Sequence, residues 1–169
     1  PPGGSVSGDD LTVYVITFGP GDHPFYKFGH DAIWIHNAAA SPRDSLRRDP
    51  VYNFGTFAFG DPALIPKFVQ GRFLYWLSVQ SIGMTKRIYQ AENRSVNAQK
   101  LNLTAAQKLA LYEALEENAL EENKFYKYDY YQDNCATRVR DAIDKATGGK
   151  LKEASQAPAS MSWRHHTLR

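Results

Sequence analysis

The chain has 169 residues, of which 43% are hydrophobic and 22% charged, and its formal net charge is +2. This size and composition are typical of one globular domain with its own hydrophobic core. So small a charge does not indicate a nucleic-acid-binding protein, and no run approaches the roughly 18 apolar residues of a membrane-spanning helix. We therefore expect one folded domain with no nucleic-acid partner.

The chain is expected to divide into three parts. Residues 1–10 contain no apolar segment and are expected to form a flexible leader rather than a signal peptide. Residues 11–150 carry strand-like and helix-like runs and are expected to form the folded domain. Residues 151–169 show no clear periodicity and are expected to be a tail. Its two histidines, His165 and His166, have no partner at metal-ligand spacing, so we predict no metal site and no cofactor.

Apolar, β-branched and aromatic runs predict an α+β fold, with an antiparallel sheet of about five strands packed on helices. The third strand is expected to run antiparallel to the second. Polar and glycine-rich segments separate the runs. The predicted strands are residues 11–18, 29–35, 51–58, 73–82 and 85–103, the last interrupted around residues 93–97.

Three helices are predicted by their start and stop signals. The first, residues 63–70, is short and follows Asp61-Pro62. The second begins at a capping box formed by Thr104 and Gln107 and runs to about residue 121. The third covers residues 136–146 and ends before Gly148-Gly149.

The only cysteine, Cys135, lies where the third helix is expected to begin, with Asp133 or Asn134 as the N-cap. Free N–H groups and the helix dipole favour an anion there, so the thiol is expected to lose its proton near neutral pH and act as a nucleophile. Against this, Cys135 shares an inward apolar face with Val139 and Ile143, and a lone cysteine on such a face is usually an inert core residue. Only a base elsewhere in the chain would favour catalysis.

Of the five histidines, His30 is best placed to be that base, because it follows Gly29 and begins the second strand. His36 shares its face but lies about 20 Å away along the strand, so the two cannot serve one site. We expect His36 to be solvated. In the third strand, Asn53 is polar among apolar residues and can either orient an imidazole or satisfy a loop carbonyl.

Four segments in order resemble the bacterial lipoprotein N-acyltransferase family called Lnb. They read FGHDAIWI, VYNFGTF, ENRSVNAQKLNLT and YYQDNCATRVRD, and the similarity covers residues 11–147. The order of histidine before cysteine is also similar to that of the circularly permuted NlpC-type, papain-like thiol enzymes, which include lecithin:retinol acyltransferase. The resemblance implies a permuted papain-like fold in which the cysteine begins a helix facing the strand histidine.

The resemblance implies acyl transfer in two halves. Cys135, with His30 as general base and acid, would take an acyl chain from a phospholipid as a thioester and pass it to the α-amine of a diacylglyceryl-cysteine at a lipoprotein N-terminus. The third catalytic residue is expected to be Asn53, with Thr56 as the alternative. The expected partners are the phospholipid, the lipoprotein N-terminus and the membrane surface, with residues 11–150 as a periplasmic catalytic domain and residues 151–169 leading to a membrane-associated region.

Further roles are assigned on the same basis. The Cys135 backbone N–H and a side chain, Asn134 or Gln132, are candidates for holding the oxyanion. Residues 125–131 carry five aromatic side chains, which form either core and rim or, as the resemblance favours, the wall of an acyl pocket. Among them Tyr128 and Tyr131 are substrate-binding candidates. Arg138 is a further candidate for lipid phosphate, or it makes a structural ion pair with the acidic helix.

Two other functions remain open at this stage. An NlpC-type thiol hydrolase, such as a cell-wall amidase, peptidase or lipid esterase, would have an open polar groove beside Cys135. A non-catalytic binding domain would hold Cys135 as a buried structural thiol.

Overall fold

The structure is a computed structural model, and it describes residues 6–22, 26–57, 66 and 74–158. In these residues one antiparallel sheet of six strands packs on helices, so the predicted α+β class is confirmed. The strand order across the sheet is β5-β1-β2-β3-β4-β6. The strands are β1 (Leu11–Phe18), β2 (His30–Asn37), β3 (Pro50–Thr56), β4 (Leu74–Ser81), β5 (Val96–Lys100) and β6 (Phe125–Lys127). The helices are α1 (Ser45–Arg48), α2 (Ile82–Ala91), α3 (Ala105–Ala119), α4 (Cys135–Ala146) and α5 (Lys150–Ala154).

The sheet is covered on both faces, as the apolar run of β1 predicts. On one face, Val13 and Ile35 pack against Leu111 and Leu115 of α3 and Val139 of α4. On the other face, a second cluster packs beneath α2. Alternation along the central strands therefore divides the core into two layers. The members of the second cluster are Ile16, Phe18, Ala32, Val51 and Tyr89.

The predicted strand over residues 85–103 is wrong in its first part, because residues 85–91 lie in helix α2. Ser81 caps the helix by accepting a hydrogen bond from the backbone N–H of Met84 at 3.3 Å. Thr85 and Tyr89, four residues apart, are the buried residues of its inward face. The period of burial is thus helical, although β-branched residues in the segment favour a strand. The chain turns at Asn93, whose φ is 51°.

The sheet has six strands where about five were expected, and the strand absent from the prediction is β6, inside the aromatic run before Cys135. It pairs with the edge of β4 through Leu74↔Lys127, Tyr75↔Tyr126 and Trp76↔Phe125. A strand of three residues is too short to show the alternation from which strands are predicted.

Helices α3 and α4 begin as predicted. Both have reciprocal capping boxes, Thr104 with Gln107 and Asn134 with Thr137, so Asn134 rather than Asp133 is the N-cap of α4. Glycines with positive φ, Gly148 at 69° and Gly149 at 85°, follow α4.

The two ends of the described chain carry short helical segments. Residues Gly8–Asp10, assigned above to the leader, form a 3-10 turn with Gly8 buried, and α5, apart from its first residue Lys150, lies within the region assigned to the tail. The helix predicted for residues 63–70 falls outside the described residues, apart from residue 66. His165 and His166 also fall outside them. Among the described residues, no helix combines the length and apolarity needed to cross a bilayer.

We expect Leu115→Ala to lower the free energy of unfolding by about 2–5 kcal/mol, because it leaves a cavity between α3 and the sheet. Leu46→Ala is the matched control, since Leu46 is 49% exposed and its truncation should change stability by less than about 0.5 kcal/mol. Urea unfolding followed by circular dichroism measures both. Equal losses for the two variants would show that Leu115 is not a core residue.

Candidate active site

A cavity of about 290 Å³ lies beside the first turn of α4, and the three predicted catalytic residues line it. His30 comes from the start of β2, Asn53 from the middle of β3, and Cys135 is the first residue of α4. Between His30 and Cys135 lie about a hundred residues of sequence, so the fold alone brings them to one cavity. Other residues lining it include Tyr26, Tyr75, Tyr89, Glu92, Arg94 and Tyr128.

Asn53 holds the imidazole of His30. Its Oδ1 lies 2.6 Å from His30 Nε2 and also accepts the backbone N–H of Gly55 at 2.9 Å. A backbone N–H only donates, so this second bond fixes the amide oxygen in place, and Nε2 must be the protonated ring nitrogen. The neutral ring therefore keeps its lone pair on Nδ1, the form a general base requires. Thr56, the alternative partner, instead shares a hydrogen bond of 2.5 Å with Ser78.

One face of the His30 ring packs against a stack of aromatic rings that ends at the guanidinium of Arg94. The ring of Phe18 stacks on His30 at 5.7 Å between centroids and on Tyr89 at 3.7 Å. Beyond them, the guanidinium of Arg94 lies between Tyr89 and Tyr26, 4.6 Å and 4.5 Å from their centroids. The imidazole thus has a stacked neighbour as well as a hydrogen-bonded one, which leaves it little rotational freedom.

The surroundings of His30 favour the neutral imidazole. Burial lowers its pKa below 6.5, and the positive charge of Arg94 acts in the same direction. The hydrogen bond to Asn53 and the carboxylate of Asp31 oppose this shift without cancelling it. A base with a lowered pKa is deprotonated and ready to accept a proton at neutral pH.

Arg94 is itself held by buried hydrogen bonds. Its Nε donates to the backbone oxygen of Gly19 at 2.9 Å, and another guanidinium nitrogen pairs with Glu92 at 3.1 Å. The side chain is almost fully buried, so this arginine anchors the segment that follows β1.

The Cys135 thiol is partly buried, and its pKa is raised above the ordinary value. Burial is the main cause, and the carboxylate of Asp31 adds to it. Backbone N–H groups of Asp31, Ala136 and Cys135 itself lower the pKa, as expected for a first helical turn, but they do not outweigh burial. The expectation that the thiol ionises by itself near neutral pH is therefore wrong.

Cys135 and His30 are neighbours without a direct bond. The sulfur lies against the backbone N–H of Asp31, the residue that follows His30. Among the described residues, no hydrogen bond joins the sulfur to the ring. Catalytic hydrogen bonds are often long in proteins without bound substrate, so this arrangement is compatible with a pairing of the two side chains.

Gly55 lets the imidazole occupy its position. A Cβ at residue 55 would lie 2.3 Å from Cε1 of His30, a distance no real side chain tolerates. The strand is irregular at the same place, since the pairing of β3 with β4 shifts between Asn53 and Thr56. A glycine inside an aromatic-rich strand is the sequence signal for such a close approach.

The predicted oxyanion side chains are not placed to act together with Cys135. Asn134 uses Oδ1 to cap Thr137 and Nδ2 to bond the backbone oxygen of Tyr130. Gln132 lines a different groove, between α3 and α4. Besides the predicted Cys135 N–H, the backbone N–H groups of Asp31 and Ala136 bond the sulfur, and the sequence does not reveal these two.

Of the predicted substrate-binding residues, only Tyr128 lines the cavity, where its ring stacks on Tyr75 at 4.3 Å. Tyr131 lies at the surface. Arg138 makes a two-pronged ion pair with Asp133, at 2.5 and 2.8 Å, and covers the ring of Tyr126. Arg138 therefore makes its ion pair with the turn before α4, and not with the acidic helix α3.

His36 is partly buried rather than solvated. Its Nδ1 lies 2.8 Å from Asp49 Oδ1, which also accepts the indole N–H of Trp34. His36 is separated from the cavity, as its place at the far end of β2 predicts.

We expect Gly55→Ala to slow any reaction that depends on His30 by about 100-fold, because displacing a catalytic ring by about 1 Å has effects of this size. The rate of Cys135 alkylation by iodoacetamide at pH 7 measures the loss. Gly83→Ala is the matched control, since a Cβ there meets nothing within 4 Å. If both variants react like the original protein, Gly55 is not needed to seat His30.

We expect His30 to make the protein less stable in acid. Its pKa is lower in the folded state than the 6.5 of the unfolded chain, so the unfolded chain binds the proton first. The contribution of His30 to stability is thus complete above about pH 6.5 and is lost as the pH falls towards the folded-state pKa. Between pH 7.5 and 5, the free energy of unfolding should fall more in the original protein than in His30→Gln, and equal slopes would contradict the assignment.

Comparison with known proteins identifies the family. No curated protein and no solved structure matches this chain. A family model, described as the Lnb N-terminal periplasmic domain, matches residues 3–168 and so covers nearly all of the chain. It confirms the resemblance to Lnb and fits the extracytoplasmic location expected above, whereas the link to permuted NlpC-type enzymes stays a prediction. The chain belongs to the family of Lnb N-terminal periplasmic domains.

Proposed function

We propose that this domain is a cysteine-dependent N-acyltransferase that moves an acyl chain from a phospholipid to the N-terminal amine of a lipoprotein. Membership in the Lnb family supports a role in lipoprotein N-acylation. The observation that carries the catalytic assignment is the bond of 2.6 Å between His30 and Asn53, in the cavity that Cys135 also lines.

In the first half, Nδ1 of His30 takes the thiol proton of Cys135, and the sulfur attacks the ester carbonyl carbon of the phospholipid. The tetrahedral intermediate collapses by breaking the bond from that carbon to the alkoxy oxygen. The leaving lysophospholipid takes the proton from His30, and the acyl chain remains as a thioester on Cys135. Because the thiol has a raised pKa, the base has to act during attack rather than beforehand.

Backbone amides supply the charge stabilisation in this scheme. The N–H groups of Asp31, Ala136 and Cys135 converge on the sulfur, and rigid secondary structure carries all three. Such donors need no reorganisation when negative charge develops on the sulfur or on the carbonyl oxygen. They take the role assigned above to the side chains of Asn134 and Gln132.

In the second half, the amine of the lipoprotein attacks the thioester carbon, and His30 accepts an amine proton. Cys135 leaves as a thiolate and recovers its proton from His30. Transfer to an amine in preference to water needs a site with little free water. The stacked rings of Tyr75 and Tyr128 beside the thiol support this, and burial keeps both phenols neutral by raising their pKa.

A thiol hydrolase is the second candidate, and the polar side of the cavity favours it. Gln80, Glu92 and Arg94 line the same space as the tyrosines, so the lining is mixed rather than wholly apolar. A hydrolase that acts as a lipid esterase would form the same acyl thioester and would differ from the acyltransferase in the group that accepts the acyl chain.

We expect intact-mass spectrometry to detect one acyl chain on Cys135 after incubation with a short-chain phospholipid, removable by hydroxylamine. Cys135→Ser and His30→Ala should abolish the adduct, because they remove the nucleophile and the base. Asn53→Ala should slow its formation about 10- to 100-fold by releasing the ring. His36→Ala is the matched control and should acylate normally.

Adding a diacylglyceryl-cysteine peptide then separates the two candidates. Transfer of the chain to the peptide amine identifies an acyltransferase, and release of free fatty acid at an unchanged rate identifies a hydrolase. An equal adduct in the Cys135→Ser protein would eliminate both.

A further inference from the structure

Three aromatic side chains form an exposed cluster, here called the aromatic lip, made of Phe28, Tyr130 and Tyr131. Phe28 is 76% exposed, and the two tyrosines are each 38% exposed. The rings of Phe28 and Tyr130 meet edge to face at 5.7 Å, and those of Tyr130 and Tyr131 at 5.0 Å. Although residues 28 and 130 are far apart in sequence, the fold gathers their rings into one surface patch.

The aromatic lip sits on the two turns that lead into the candidate active site. Phe28 precedes His30 by two residues, and Tyr131 precedes Cys135 by four. The first turn also contributes to the cavity through Tyr26 and Gly29. The lip is therefore continuous with the cavity rim.

Backbone hydrogen bonds hold both turns in shape. Gly29 bonds the backbone oxygen of Tyr26 at 3.2 Å and has a φ of 73°, which reverses the chain directly after Phe28. On the other side, Asp129 and Asp133 bond each other's backbone, and the Asp129 carboxylate accepts the N–H of Tyr131. The rings thus project from ordered backbone.

Exposed aromatic rings at the rim of a site favour a lipid surface over water. Phenylalanine at 76% exposure leaves most of its apolar area in water, which is unfavourable unless a partner covers it. Tyrosine rings suit the boundary between bilayer and water, because one end is apolar and the other polar. Lys27, exposed beside Phe28, adds a positive charge suited to anionic headgroups.

The size of the cavity points to the same partner. About 290 Å³ lies just below the roughly 300–1,000 Å³ found for sites that enclose drug-sized ligands. A phospholipid with two acyl chains is larger than such ligands, so most of it must stay outside, next to the rim. An aromatic rim resting on the bilayer lets the ester reach Cys135 while the rest of the lipid remains in the membrane.

We propose that the aromatic lip docks this domain on the surface of a phospholipid bilayer and so presents the cavity to the membrane. The proposal rests on the proposed function, because that function makes a bilayer lipid the acyl donor. The lip binds neutral and anionic bilayers through its rings, and Lys27 strengthens binding to the anionic ones.

The test measures sedimentation with vesicles of phosphatidylethanolamine and phosphatidylglycerol, using Cys135→Ser protein so that no turnover occurs. We expect this protein to bind, and the added substitutions Phe28→Ser and Tyr130→Ser to weaken binding by about tenfold or more, a loss consistent with removing two rings from the interface. The matched control carries Leu46→Ser and Leu151→Ser, which remove two exposed apolar side chains elsewhere, and should bind like the parent. Thermal unfolding checks that all three proteins are folded.

A second measurement separates the docking surface from the chemistry. With Cys135 intact, Phe28→Ser/Tyr130→Ser should react normally with a water-soluble ester such as p-nitrophenyl acetate and slowly with vesicle lipid. Failure of the parent to bind vesicles, or equal binding by the lip variant, overturns the docking proposal whatever the reactivity of Cys135. Vesicle binding that depends on the lip, without any acyl adduct, sustains docking and overturns the proposed function.

Discussion

The hydrogen bond between His30 and Asn53 is the constraint on which the rest of the candidate site depends. Strands β2 and β3 pair through their backbones only at Ile33↔Tyr52 and Trp34↔Val51. Towards His30 the backbone pairing ends, and there a bond between the side chains of His30 and Asn53 joins the two strands. The cavity occupies this end of the sheet, so the histidine is oriented where the backbone ladder has ended.

The two central groups of the site are both held in their neutral forms. Burial raises the pKa of the Cys135 thiol and lowers that of the His30 imidazole. A resting pair of thiolate and imidazolium is therefore disfavoured, and a transient proton transfer is favoured instead. An uncharged thiol is a poor nucleophile in water, which limits side reactions. The backbone N–H groups of Asp31, Ala136 and Cys135 favour negative charge on the sulfur, but they do not outweigh burial.

Much of the fold could be predicted from local signals, and so could three residues that line one cavity, whose catalytic roles stay a prediction. Apolar and β-branched runs identified β1 to β4, and capping residues identified the starts of α3 and α4. His30 was identified by its place at the start of a strand, and Asn53 by its polarity among apolar residues. The prediction failed where tertiary contacts decide. Helix α2 carries strand-like residues but buries Thr85 and Tyr89 with helical spacing, and β6 exists only because it pairs with β4. The pKa of the Cys135 thiol depends on its burial in the folded protein. The pairing of Arg138 with Asp133 depends on the conformation of the turn before α4. Residue spacing in the sequence predicts neither.

Because β6 is a short edge strand, the local stability of this site is lower than the stability of the whole fold. Three residue pairs hold it to β4, whereas eight join β1 to β2, so its separation from the sheet is far cheaper than global unfolding. The chain continues from β6 through Tyr128 and the aromatic turn to Cys135. One wall of the cavity can consequently fray and reform while the central ladder persists. Under the proposed function, a bulky acyl group can then enter and leave the cavity while the core of the fold stays intact.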